Sequence, residues 1–467
     1  MKRYSLLMAT VVLLYSCSMD KETELSPEPP LLGETELRAC FQLSQNSIMA
    51  GASLTITNCS EGAQSYLYDF GNGMTSTENQ PTIFYEEAGS YELSLTVSGE
   101  GNTSDTFSTT IQVVGPNFVY PEVPQGYTAN PIDFGLDSHT GSLYAITVLK
   151  DEGGLEGNKF YYHSLGSSMM EDAHYLGDQT YEGNNAFSWF LQGGVRGFHF
   201  SRTLNGFYGS REVNYDADWN LSGQLNSADQ VSYGYLADNG NLLFYGSIKD
   251  GALNKAAIDM RNAMGDSFKR ILHQVGENDS HIGNLIKTEN GYVAFGGSFI
   301  KNDSKPFIAD YSPTLIFLDE ALELISYKIY DNSMLTEKII STADLNGAFD
   351  MARLSNGNYV LYGLGELLVT DSSGNIIRSH FYENTLNNQG LVSLRDTFII
   401  SSDRFLRKFN AQGDQLISLQ YPGKQVPSFI EKEGKLYLVA KYASPEGDQL
   451  LYGALDHDLN TVAWEPW

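Results

Sequence analysis

The chain has 467 residues, enough for about two or three domains with substantial cores. Its 29 Tyr, 24 Phe and 45 Gly, with 18% charged residues, describe a β-rich extracellular protein rather than a disordered one. A formal charge of −28 argues against nucleic acid and anionic membrane surfaces as partners, because neutralising phosphates takes clustered Lys and Arg.

Met1–Ser16 opens with Lys2 and Arg3 and continues as an apolar run, Leu6–Leu14, that is too short to span a bilayer. This is the pattern of a signal peptide. The run ends in Leu14-Tyr-Ser-Cys17 and resembles a bacterial lipobox, which implies cleavage before Cys17 and lipidation of that thiol; Tyr15 is bulkier than the usual residue there. The acidic stretch that follows, Ser18–Glu24, resembles the surface-export signal of lipoproteins in the Bacteroidetes group. The resemblance implies an outer-membrane lipid anchor and a protein facing the cell exterior. Residues 17–38, with Pro27, Pro29 and Pro30 among acids, are expected to form an extended, solvated tether.

Residues 39–114 are the first folded domain. Gly71 and Gly73 allow a tight turn, Phe70 can anchor it in a core, and Tyr91–Val97 alternates as a half-buried strand should. The motif Tyr68-Asp-Phe-Gly-Asn-Gly73, with Ser76, Pro81, Tyr85, Gly89 and Tyr91, resembles the PKD domain, an immunoglobulin-like β-sandwich. Tyr68 and Asn72 are mild departures from that family's usual Trp and Asp. The resemblance implies a spacer or adhesion module and gives Asp69 a turn-stabilising role. Cys40 and Cys59 lie at the start of one predicted strand and the end of the next, so an antiparallel pairing brings them together. In an oxidising compartment a disulfide is expected, worth about 3 kcal/mol by loop closure. No metal site and no cofactor is expected: these two thiols do not make a Cys-rich cluster, and the 8 His are scattered without an HExxH pair.

From residue 117 to 467 one unit recurs. Its clearest copy contains Phe349–Leu354, then Asn356–Gly363, then Leu367–Tyr382 with a polar turn at Asp371–Asn375. Val, Ile, Phe and Tyr suit a pleated surface, and Gly374 and Asn375 suit the positive φ of short hairpins. The turn recurs at Asn214–Asn220, Asp259–Asp266, Asp319–Glu323, Asn410–Asp414 and Asp456–Asn460, and more weakly at Ser164–Asp172. We count about seven four-stranded units, with six or eight left open. Such a train closes best as a ring. It resembles a divergent seven-bladed β-propeller, without WD40 or kelch signatures. The expected fold is therefore all-β, a small PKD-type sandwich followed by a propeller.

Catalytic signals are poor. No GxSxG elbow, phosphate loop or sialidase Asp-box occurs. Carboxylate pairs for glycoside hydrolysis would come from separate blades and leave no local motif, so that reading stays open. Irregular polar stretches at Lys150–Asn158, Asp178–Asn185, Ser298–Pro313, Asp331–Asn346 and Lys441–Gln449 should share the face opposite the short turns, where binding usually sits. Lys301, Asp303 and Lys305 would supply charged contacts there, and Phe307, Tyr311 and Tyr442 stacking or burial. The expected function is noncatalytic: an outer-membrane surface lipoprotein presenting a propeller to a surface protein complex or a glycan. An extracellular polysaccharide hydrolase or lyase, with its site at the channel, is the alternative.

Overall fold

The computed structural model describes residues 37–114, 118–119, 127–138, 140–151, 158–165, 172–179, 186–190, 195–204, 207–227, 230–302, 305–330, 349–382, 390–402, 404–421, 428–444 and 447–462. The first domain is a sandwich of a three-stranded and a five-stranded sheet. Its turn is built as the motif implies. The Asp69 carboxylate accepts the Gly71 N–H at 2.9 Å, Tyr85 donates its hydroxyl to the Phe70 carbonyl, and Phe70 is buried. Gly71 has φ of +72°, and a Cβ there would lie 2.6 Å from the Glu92 carbonyl oxygen, so only glycine fits. Cys40 and Cys59 form a disulfide beside the Phe41–Asn58 pair, with Cα atoms 4.8 Å apart.

The rest of the described chain forms seven sheets, each with four sequential antiparallel strands, over residues 127–179, 186–227, 230–273, 279–329, 349–381, 391–420 and 428–462. We call them sheets 1 to 7. The first strand of each sheet neighbours the first strand of the next, and that of sheet 7 (Ser428–Lys432) neighbours that of sheet 1 (Tyr127–Leu136). The cycle therefore closes, as in a β-propeller. Phe118–Val119 pairs with Leu451 and Tyr452 on the third strand of sheet 7, beside the short Thr461–Val462 strand. Chain that leaves the first domain thus completes the outer edge of the last sheet.

The turns between third and fourth strands share one device in six sheets, those whose turn is described. Asp216, Asn262, Asp319, Asp371, Asn410 and Asp456 each accept backbone N–H bonds from the residues two and four positions on. The fourth residue after it is Asn, Asp or Glu, and in five of the turns the two side chains also bond each other. The residue before that one takes positive φ: Gly265, Gly374 and Gly413, but also Trp219, Leu322 and Leu459. The last three are left-handed without glycine, a strained conformation that packing holds in place. In two cases the outward-turned carbonyl then latches the preceding sheet: Tyr330 donates to Gly374 at 2.8 Å, and His380 Nε2 lies 2.7 Å from the Gly413 carbonyl. This face of the ring is built for packing.

The sandwich and the ring share one hydrophobic core. Ile48, Met49, Leu54 and Ile111 of the sandwich are continuous with Leu419 and Tyr421 of sheet 6 and Leu438, Leu451 and Leu459 of sheet 7. The Asn46 N–H also donates to Asn460 Oδ1 at 3.0 Å, on the sheet 7 turn. At Gly453 an added Cβ would come within 2.9 Å of Met49 Cε, so the sandwich sits tight against sheet 7. It is a fixed support for the ring, not a loosely strung spacer.

Candidate functional site

Opposite the packed turns lies the face formed by the second-to-third hairpins. Its height is uneven. The second strands of sheets 7, 1, 2, 3 and 4 have 10, 9, 9, 10 and 12 residues, against 5 and 6 in sheets 5 and 6. At roughly 3.3 Å per residue, the difference between the tallest and lowest is about 20 Å of strand. Among the described residues, five neighbouring sheets therefore raise a wall that is low at sheets 5 and 6.

This geometry corrects the reading of Ser298–Pro313 as an irregular insertion. It is a paired hairpin: Gly291–Asn302 and Lys305–Leu318 stay in register from Tyr292–Leu318 out to Ile300–Asp310 and Lys301–Ala309, then shift to Asn302–Lys305. Lys441–Gln449 is likewise paired, through Tyr442–Gln449 to Ser444–Gly447. The polar residues that suggested loops belong to strands raised beyond the neighbouring blades. Tyr311 is not a surface group. It is 1% exposed, donates its hydroxyl to Gly296 at 2.8 Å, and packs 5.5 Å from the Phe349 ring. Burial holds its phenol well above the usual range. Lys301 lies on the second strand of sheet 4, Lys305 and Phe307 on the third, and Tyr442 on the second strand of sheet 7. Asp303, Asp331–Asn346 and Cys17 lie outside the described residues, as do most of Lys150–Asn158 and Asp178–Asn185 and the terminal Trp464 and Trp467.

At the low side of the wall stands a carboxyl that the sequence did not single out. Asp350 is on the first strand of sheet 5 and pairs with Tyr362, one residue from the Gly363–Glu366 turn. It accepts the Asn284 amide of sheet 4 at 3.0 Å, the Leu391 N–H of sheet 6 at 2.9 Å and the Met351 N–H at 2.8 Å. One carboxyl therefore ties three sheets together beside the ring axis. Burial pushes it up to about 7, although the two backbone N–H bonds pull the other way. Further round, Asp133 on the first strand of sheet 1 accepts the Tyr144 hydroxyl at 2.9 Å, and its charge raises Tyr235 of sheet 3 after burial has done so. No local motif marks these positions, since each comes from a separate sheet.

Because Asp350 titrates higher in the fold than the ordinary carboxylate value of 3.8, it favours the folded state when protonated. Its contribution is full below about pH 4 and fades as pH rises through about 7. The thermal midpoint of the wild type minus that of Asp350→Asn should therefore fall between pH 5 and pH 8. A constant difference across that range would show that Asp350 does not titrate there.

Among the described residues no group of three or more His, Cys, Asp and Glu could hold a metal ion, and no helix is long and apolar enough to cross a membrane.

The architecture is that of an all-β protein, a disulfide-bonded sandwich fused to a closed ring of four-stranded sheets. The PKD domain family matches residues 46–114, and that segment is a PKD domain. Pre-pro-metalloprotease PrtV of Vibrio cholerae is 41% identical over 97 residues, 21% of this chain, and the chain spans 10% of that relative's length. The solved PKD1 domain of the same protease is 42% identical and covers 16% of this chain and 95% of its own, with a TM-score of 0.15. A subtype N10 neuraminidase-like protein of A/little yellow-shouldered bat/Guatemala/060/2010 is 11% identical over 64% of this chain and 95% of its own, with a TM-score of 0.36.

Proposed function

We propose that this protein is a noncatalytic surface lipoprotein whose seven-bladed propeller is held by its PKD domain to capture a partner on the walled face. The uneven wall carries this reading. Among the described residues, strands raised on five adjacent blades and low on two form a trough, a shape suited to an extended protein segment or glycan lying across sheets 5 and 6. The shared core supports it, because it fixes the ring to the PKD domain as one presenting unit. The Cys40–Cys59 disulfide supports an oxidising compartment outside the cytoplasm. Lys301, Lys305, Phe307 and Tyr442, on the raised hairpins, remain residues proposed to line the contact, together with Asp303, which lies outside the described residues.

The anchor is tested at Cys17. Cys17→Ala should abolish acylation and release the protein from the membrane fraction, while surface biotinylation of the wild type should label it on intact cells. A Cys17→Ala protein that still fractionates with membranes would overturn the anchor. Crosslinking from the sheet 4 hairpin on whole cells should then trap the partner, and an equal yield from a probe on the short turns would move the site away from the walled face.

The polysaccharide-processing alternative rests on Asp350, whose proton is retained near neutral pH as a general acid requires. Three accepted hydrogen bonds give the same carboxyl a structural task, so the binding reading is preferred.

A further inference from the structure

On the packed face, between the outer strands of sheets 2 and 3, lies a cleft of about 220 Å³. It is smaller than the roughly 300–1,000 Å³ of sites that take drug-sized ligands, so it holds one ring-sized group and not a nucleotide. Its wall is charged but balanced. Arg261 donates to both Glu212 carboxylate oxygens at 2.6 and 2.9 Å and through Nε to Asp259 at 2.9 Å. Asp259 also accepts Ser267 Oγ at 2.5 Å and Arg270 Nε at 3.2 Å. Two carboxylates face two guanidiniums, so these four side chains sum to zero charge.

What the wall leaves over is hydrogen-bonding capacity. Asn214 lines the cleft, and its Oδ1, itself buried, has no partner among the described residues. A buried acceptor left in that state costs about 1–3 kcal/mol unless something donates to it. Arg270, with 56% of its side chain exposed, uses only Nε on Asp259, and its Nη donors bond nothing among the described residues. Gln224 adds an exposed amide, and Leu225, 55% exposed, adds an apolar surface that water covers poorly. The buried Trp189 closes the floor, which Gly197 permits: a Cβ there would lie 2.0 Å from the indole.

We infer that this cleft is a binding site for a single neutral sugar unit of a glycan. A hydroxylated ring offers acceptors to the unused Nη groups of Arg270, hydrogen bonds to the exposed Gln224 amide and a C–H face to Leu225, and its lack of charge matches the neutral wall. An anionic sugar would bring a net charge that the paired guanidiniums no longer compensate. The site is separate from the walled face, so it stands or falls independently of partner capture there.

The test uses the full chain and methyl glycosides of glucose, galactose, mannose and N-acetylglucosamine, with glucuronate for comparison, in isothermal titration and saturation-transfer NMR. At least one neutral glycoside should bind, and Arg270→Ala should weaken it about tenfold or more, equivalent to about 1.4 kcal/mol. Gln224→Ala, an exposed change that leaves the ion pairs intact, should weaken the same glycoside. Binding by none of the four, binding indifferent to both variants, or a preference for glucuronate would overturn the assignment.

Discussion

Replacing Tyr311 by Ala is expected to lower the unfolding free energy by about 3–5 kcal/mol, the usual cost of deleting a large buried aromatic. The side chain is fully enclosed, stands 5.5 Å from Phe349 and 6.0 Å from His281, and lies so close to Gly297 that a Cβ there would come within 2.0 Å of Cε2. It therefore fills the seam between sheets 4 and 5. His281, held down to about 3 by burial, cannot charge to compensate for the lost neighbour near neutral pH. Tyr311→Phe should cost much less, about 1–3 kcal/mol, for leaving the Gly296 carbonyl without its hydroxyl donor. Gly297→Ala should resemble the Ala variant, since Tyr311 has nowhere to move. Urea unfolding followed by tryptophan fluorescence reads all three. An Ala variant as stable as the wild type would return Tyr311 to the surface. For the same reason, cutting the Ser298–Pro313 hairpin to a tight turn should unfold sheet 4 rather than merely remove a contact.

The hairpin and sheet 5 differ in how much of their pairing the sequence displays. Sheet 5 was legible because its strands are short, its Val, Leu and Tyr nearly continuous, and its Asp371–Asn375 turn carries glycine. Ser298–Pro313 has a more mixed texture, with Lys, Asn, Asp, Ser and Pro interrupting Phe299, Ile300, Phe307 and Ile308. Pairing, however, is made by backbone groups, which polar residues satisfy as well as apolar ones. Polarity was mistaken for irregularity. Tyr311 alone could have betrayed it: it sits two residues before Pro313, in register with Phe299. The turns held a stronger signal than glycine. An Asp or Asn followed four residues later by Asn, Asp or Glu picks out all six described turns, including those where Trp219, Leu322 or Leu459 takes the left-handed position. Asp350 and the Glu212–Arg261 pair could not have been found this way, because their partners are 41 and 49 residues away on other sheets. Only the packing of neighbouring sheets brings them together.

That pair sets the second large effect. Arg261 is 5% exposed, lies 4.0 Å over the Phe244 ring, and holds Glu212 through both oxygens and Asp259 through Nε. Burial by itself would raise Glu212; His199, with Nδ1 3.6 Å away, and then the bonds and charge of Arg261 outweigh it and hold the carboxyl at about 2. Arg261→Ala leaves the buried Glu212 carboxylate without its guanidinium, while Asp259 keeps Ser267 and Arg270, and breaking a buried pair from one side typically costs about 3–5 kcal/mol. Truncating both ends should cost less than the two single changes added together, because Glu212→Gln with Arg261→Met leaves no unpaired charge on that side. A double-mutant cycle by urea unfolding at pH 7 measures this directly; strictly additive losses would mean the two groups do not couple. The acid side gives an independent check. Glu212 titrates lower in the fold than its ordinary value of 4.5, so its contribution is full above that value and is lost as pH falls towards about 2. Asp350 runs the other way, losing its contribution as pH rises through about 7. Wild-type stability minus that of Glu212→Gln should therefore shrink between pH 5 and pH 3, while the corresponding difference for Asp350→Asn holds steady below pH 4. A Glu212→Gln difference that stays constant down to pH 3 would show that Arg261 does not hold this carboxylate ionised.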